Sequence, residues 1–128
     1  MTTTQLTYVR GFSGFAVPDL DAARSFYRDV LGLAVADNAM GMLEITLPGG
    51  AVVLVYPKDD HEPAVFTILN LSVADIEKSV DALAERGVQL LRYDFFEHDE
   101  RGIVRGEGMP AGGWFVDPAG NIISILQE

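Results

Sequence analysis

The chain has 128 residues, 48% of them hydrophobic and 22% charged, which describes one soluble globular domain with enough length to bury a sizeable core. A net charge of −10 argues against nucleic acid and anionic membranes, which need a basic face; its field favours cationic ligands, or simply keeps the protein soluble. There is no cysteine, hence no disulfide, thiolate nucleophile or thiolate metal site. No apolar run approaches the roughly 20 residues of a membrane span, and Met1-Thr2-Thr3-Thr4 lacks the basic start and apolar core of a secretory signal, so a cytoplasmic protein is expected.

In chain order, residues 12–18 read as a strand, and Asp19 reads as the N-cap of a helix carrying Leu20, Ala23, Tyr27 and Leu31 at helical spacing, ended by Gly32. Residues 33–37 form a weak strand. Met42 to Leu47 alternates apolar and polar, Pro48-Gly49-Gly50 has hairpin chemistry, and Ala51 to Tyr56 is the next strand. The polar segment Lys58-Asp59-Asp60-His61-Glu62-Pro63 reads as a linker. Phe66 to Val73 is a strand, Asp75 a second N-cap, and Ile76, Val80, Leu83 and Ala84 a helical stripe that stops at Gly87. Val88 to Tyr93 reads as a strand. Asp94 to Gly113 carries five glycines and little periodicity, and reads as a long mobile loop of the kind that forms lids, with room for one short strand inside it. Gly113 to Asp117 and Asn121 to Leu126 are the closing strands, joined by a type I turn at Asp117-Pro118-Ala119-Gly120.

The order strand, helix, three strands thus occurs twice, and the sequence itself repeats. Val17-Pro18-Asp19-Leu20 returns as Val73-Ala74-Asp75-Ile76, offset by 56. Pro48 to Tyr56 returns as Pro118 to Leu126, offset by 70. Such a chain is expected to fold pseudo-symmetrically, with a site between its halves. Strand parity then sends Phe15, Val17, Leu71 and Val73 under the helices. It turns Phe12, Gly14, Ala16, Ile68, Asn70 and Ser72 to the opposite face.

The segment Phe26-Tyr27-Arg28-Asp29-Val30-Leu31-Gly32-Leu33 after a strand and Asp-Leu resembles the vicinal oxygen chelate superfamily, which holds glyoxalase I, bleomycin-resistance and extradiol dioxygenase proteins. Trp114-Phe115-Val116-Asp117-Pro118-Ala119-Gly120-Asn121 is similar to that family's closing Asp-Pro-x-Gly-Asn hairpin, and the likeness runs from about residue 12 to 127. The resemblance implies an α+β fold of two βαβββ modules, about 10–57 and 65–128 with a linker at 58–64. They would form a curled mixed sheet around a cavity, with the helices on its outer face, in a single domain over 1–128 that forms a homodimer. In the family's metal enzymes, four strand positions supply ligands, and they map here to Phe12, Ile68, Leu54 and Ser124. Three of these are hydrocarbon and one is a hydroxyl, where a divalent ion wants imidazole or carboxylate. No metal and no other cofactor is therefore expected, and no catalytic residue is assigned.

The expected cavity lining comprises Phe12, Gly14, Val52, Leu54, Tyr56, Ile68, Asn70, Ser72, Trp114, Ile122 and Ser124, with Glu44 if it faces inward. Of these, Phe12, Glu44, Leu54, Tyr56, Ile68, Asn70, Trp114 and Ser124 are the candidate ligand-binding residues. Trp114 and Tyr56 are able to stack on a planar ligand, and Glu44 to pair with a cation. Plainer roles stand beside these: Trp114 as core, Tyr56 as a strand-end cap, Glu44 as a solvated carboxylate, and His61 and His98 as loop residues. The preferred reading is a protein that binds a small aromatic or amphipathic molecule, planar or cationic, without nucleic acid or membrane partners. The alternatives are a lyase or isomerase of the glyoxalase or dioxygenase type, with a non-standard metal held by Glu44, Glu97 or His98 or with Glu44 as a metal-free base, and a scaffold whose cavity is filled.

Overall fold

The structure is a computed structural model and describes residues 4–128; Met1 to Thr3, part of the segment read above for a signal, lie outside them. The first half is strand β1 (Ser13–Val17), helix α1 (Leu20–Ser25) and strands β2 (Ala34–Asp37), β3 (Leu43–Thr46) and β4 (Val52–Pro57). The second half is β5 (Thr67–Val73), helix α2 (Ile76–Glu85), β6 (Ala111–Val116) and β7 (Ile122–Gln127). The strands form two mixed sheets in the orders β1-β4-β3-β2 and β5-β7-β6. Each sheet holds its first and last strands parallel, β1 on β4 and β5 on β7, so the long connection between them carries the helix. This is the α+β arrangement expected of the repeated order.

Both predicted N-caps are in place. Asp19 accepts from Asp21 N–H and Ala22 N–H, and Asp75 accepts from Lys78 N–H, which satisfies otherwise orphaned amides of the first turn. The first helix departs from its expected form after one and a half turns. Residues Phe26–Val30 widen into a π-helical turn closed by Leu31 N–H to Phe26 O at 3.0 Å. The wider turn brings two consecutive aromatics, Phe26 and Tyr27, to the core together. Gly32 then leaves the helix at φ +71°, a conformation that excludes most side chains.

Strand parity is realised on the core side. Phe15, Val17, Leu43, Ile45, Val53 and Val55 of the first sheet, and Leu69, Phe115, Ile123 and Ile125 of the second, are buried with Ala23, Ile76, Val80 and Leu83 of the helices. Phe15, Tyr27, Phe26 and Phe115 touch in sequence at centroid separations of 5.5, 5.3 and 6.4 Å, which carries the core from one half into the other.

Two expectations fail in the second half. Val88 to Tyr93 forms no strand; it makes a single ladder-like bond, Leu91 N–H to Trp114 O. The free edge of β6 is shared, because Val104 pairs with Gly112 in both directions there, at 2.8 and 3.1 Å. Neither neighbour has a long enough edge left to build a ladder. The segment expected as a mobile lid is also anchored along much of its length. Ile103 is 1% exposed and Val104 is buried. Asp99 accepts from the N–H groups of Arg101 and Ile103, while Arg101 pairs with Asp81 and Arg105 with Glu77, both on α2.

Candidate functional site

The pairing of the strands gives the site its symmetry. Gly14 pairs with Leu54 and Leu54 with Glu44 across β1, β4 and β3. Asn70 pairs with Ser124 and Ser124 with Trp114 across β5, β7 and β6. Gly14 and Asn70 are offset by 56, and Leu54 and Ser124, like Glu44 and Trp114, by 70, the two repeat distances of the sequence. Each sheet therefore turns a matched row of three residues away from the core: Gly14, Leu54 and Glu44 in one half, Asn70, Ser124 and Trp114 in the other.

The rows line separate recesses. Asn70, Trp114 and Ser124 share a pocket of about 160 Å³ with Met109, Pro110, Gly112 and Leu126. Ser124 Oγ donates to Asn70 Oδ1 at 2.5 Å, and Ser124 is buried. Phe12, Glu44 and Leu54 line a smaller recess of about 70 Å³ with Arg10 and Met40, in which the Arg10 guanidinium lies 4.6 Å from the centre of the Phe12 ring. Ile68 belongs to a third cavity, of about 280 Å³, where β1 meets β5. It sits at a bulge, where the pairing shifts between Thr67 and Leu69, so its counterpart Phe12 has a different setting. Tyr56, at 37% exposure, borders none of the three.

Three features escaped the sequence reading. Phe96 stacks on Trp114 at 5.3 Å and 19° and Tyr93 meets its edge at 5.5 Å, so Trp114 is held by aromatics from the segment before the 99–105 anchor. The run Tyr93-Asp94-Phe95-Phe96 carried that signal in plain view. Gly112 is required by packing: a Cβ there would come within 2.3 Å of Ile125 O. Asn121 and His61, 60 residues apart, meet at 3.2 Å on the third cavity, and no local pattern announces such a pair.

The hairpin after β6 ties the halves together. Asp117 Oδ1 accepts from Ala119 N–H and Asn121 N–H, and Oδ2 accepts from Asn121 Nδ2 and from the Tyr27 hydroxyl, the last at 2.6 Å. Burial first, then the Asp117 charge and its hydrogen bond, push the Tyr27 hydroxyl well above the usual range for a phenol. This cluster is structural: every polar atom in it has a partner.

The model of the Glyoxalase/Bleomycin resistance protein/Dioxygenase superfamily matches residues 6–125. The chain belongs to that superfamily. Among solved members of this fold, TnmS3, an antibiotic-binding protein from Streptomyces sp. CB03234, is 22% identical over 95% of this chain and 98% of its own, with a TM-score of 0.68. A superfamily member from Sphaerobacter thermophilus is 23% identical over 94% and 98%, with a TM-score of 0.65. FosX, a fosfomycin resistance protein from Listeria monocytogenes, is 10% identical over 96% and 95%, with a TM-score of 0.71. At these identities the likeness concerns the fold. No curated protein matches the chain.

The metal that many superfamily enzymes carry does not fit the residues present at the corresponding positions. Phe12, Leu54 and Ile68 offer no lone pair, which leaves one neutral hydroxyl, that of Ser124, where a divalent ion wants several imidazole or carboxylate ligands. Among the described residues no three His, Asp or Glu side chains are grouped to hold an ion. Glu44, Glu97 and His98, the alternative ligands, do not share a recess; Glu97 and His98 are exposed, and His98 Nδ1 lies 3.3 Å from Phe96 O. Among the described residues no helix is long and apolar enough to cross a membrane.

Proposed function

We propose that this superfamily member is a small-molecule-binding protein that works without the usual metal ligands and sequesters a planar or cationic compound, as a homodimer. The observation that carries the reading is the matched pair of rows, one ending in Trp114 and the other in Glu44. Trp114 supplies an aromatic surface stiffened by Phe96, Asn70 and Ser124 supply polar handles beside it, and Glu44 supplies a negative charge.

Size supports the dimer. Recesses of about 160 and 70 Å³ are each below the roughly 300 Å³ where ligand sites usually begin. Bringing the Trp114 face against a Glu44 face would join two recesses that are each too small alone, and would bring their combined volume closer to that range. Leu6, Tyr8 and Val9, ahead of β1, are all strongly exposed, as apolar residues awaiting a second copy would be. The antibiotic-binding relative is consistent with the same use of the scaffold.

Trp114 is the one tryptophan of the chain, so its fluorescence reports on the pocket. A panel of cationic, aromatic and amphipathic compounds is expected to give saturable quenching, at a protein concentration where sedimentation shows a dimer and elemental analysis shows no stoichiometric metal. Absence of any binding tighter than millimolar across the panel ends the proposal. Near-stoichiometric metal would instead bring the enzyme reading forward.

A further inference from the structure

The third cavity, where β1 meets β5, contains a histidine whose neutral tautomer is fixed by its neighbours. Asn121 is 2% exposed, and its Nδ2 donates to Ala16 O at 3.0 Å and to Asp117 Oδ2 at 3.2 Å. A carbonyl and a carboxylate are acceptors, so the amide has one orientation, with Oδ1 turned to the 58–64 segment. There Ala64 N–H donates to it at 3.5 Å, and His61 Nε2 lies 3.2 Å away. A carbonyl oxygen has no proton to give, so His61 Nε2 carries the hydrogen. The neutral ring therefore keeps its lone pair on Nδ1, which has no hydrogen-bond partner among the described residues.

The cavity around this ring measures about 280 Å³, the largest of the three on the strand faces turned from the core. Gly14, Ala16 and Ile68 form its apolar side, and His61, Glu62 and Phe66 the other. Phe66 is 66% exposed, with its ring unburied by the fold. An acceptor nitrogen, a carboxylate and an aromatic face together suit one kind of guest. We infer that this seam is a second ligand site, distinct from the Trp114 pocket, and that it takes a small aromatic or apolar organic ammonium ion. The ammonium N–H donates to His61 Nδ1, Glu62 balances the charge, and Phe66 offers its ring to the cation.

The test uses isotope-labelled full-length protein and phenethylammonium as the probe, with phenethyl alcohol as the uncharged control. The His61 imidazole spectrum is expected to show the Nε2–H form. Phenethylammonium is expected to shift His61 and Ala64 resonances saturably, and the alcohol to bind more weakly. His61→Leu should weaken phenethylammonium about tenfold, the loss of one hydrogen bond to a charged group. Glu62→Gln should weaken it by a smaller factor; Glu62 is exposed, so this variant decides the matter even if His61→Leu disturbs the fold. An Nδ1–H ring, unchanged affinity in Glu62→Gln, or binding reported by Trp114 fluorescence and absent from the seam would each overturn the assignment.

Discussion

The Tyr27 hydroxyl, on the π-turn of the first half, donates to Asp117 Oδ2 in the last hairpin of the second half at 2.6 Å. Both residues are buried, and the bond spans 90 positions of chain. It sits beside the aromatic contacts of Phe26 with Tyr27 and Phe115, so polar and apolar ties between the halves coincide.

Tyr27→Phe removes one bond to a buried carboxylate that keeps three other donors, and should lower unfolding free energy by about 1–2 kcal/mol in denaturant titrations. Burial of the same hydroxyl, with the Asp117 charge and the bond behind it, sets an alkaline limit. The folded hydroxyl holds its proton above the value in the unfolded chain, so stability is complete below about pH 10 and falls as pH rises further, when the unfolded chain loses the proton and the folded one does not. Tyr27→Phe should flatten that decline, read as the unfolding midpoint against pH.

Asp99 should govern the 99–105 segment. Burial raises its pKa, but amide donors from Ile103 and Arg101 and the nearby Arg105 and Arg101 charges outweigh this and hold it below the usual carboxylate range. A lowered folded value means that its stabilisation is present at neutral pH and is lost as pH falls through the acid range. The protection factors of the Arg101 and Ile103 amides, taken against the intrinsic rate at each pH, should therefore fall in acid, and Asp99→Asn should bring that loss of protection to neutral pH. Unchanged protection in the variant would show that the ion pairs to α2 suffice.

Ile103→Ala should cost about 2–4 kcal/mol, the range for a buried aliphatic truncated in a packed core. A free lid would show almost no change in the melting temperature. Comparing this variant with Met109→Ala, at the exposed tip that borders the Trp114 pocket, separates anchor from rim: the first should affect stability and the second ligand quenching.

Gly112→Ala should destabilise by at least about 1–3 kcal/mol, because its methyl group meets Ile125 O and the backbone of Leu126, which are fixed by the β6–β7 ladder. Gly14→Ala meets Leu54 O at 3.1 Å, a milder approach, and should be tolerated better. Thermal melts of the two variants make the comparison.

Much of this architecture is legible because it is repeated and local. The offsets of 56 and 70 reappear as the pairings of Gly14 with Leu54 and Asn70 with Ser124, and Asp19 and Asp75 cap the helices their spacing announces. What stayed hidden depends on distant competition. Val88 to Tyr93 has a strand's composition, but Val104 takes part of the edge it needed. The stripe Leu20, Ala23, Tyr27, Leu31 fits helical spacing, yet spacing alone does not reveal a widened turn that buries Phe26 as well. The candidate residues Asn70, Trp114 and Ser124 meet in one pocket, and Phe12, Glu44 and Leu54 in another, because parity fixes the face and only the sheet edges decide which neighbours share a hollow.

The alternation within each strand has one more consequence. Leu43 and Ile45 flank Glu44, and Gly113 and Phe115 flank Trp114, with all four buried on the opposite side of their strands. Changes at the two ends of the rows therefore leave the packing that holds the fold largely untouched. A duplicated scaffold of this kind is free to diversify at these outward positions, and in the proposed dimer an acidic end set against an aromatic one would give a guest held between them a head and a tail.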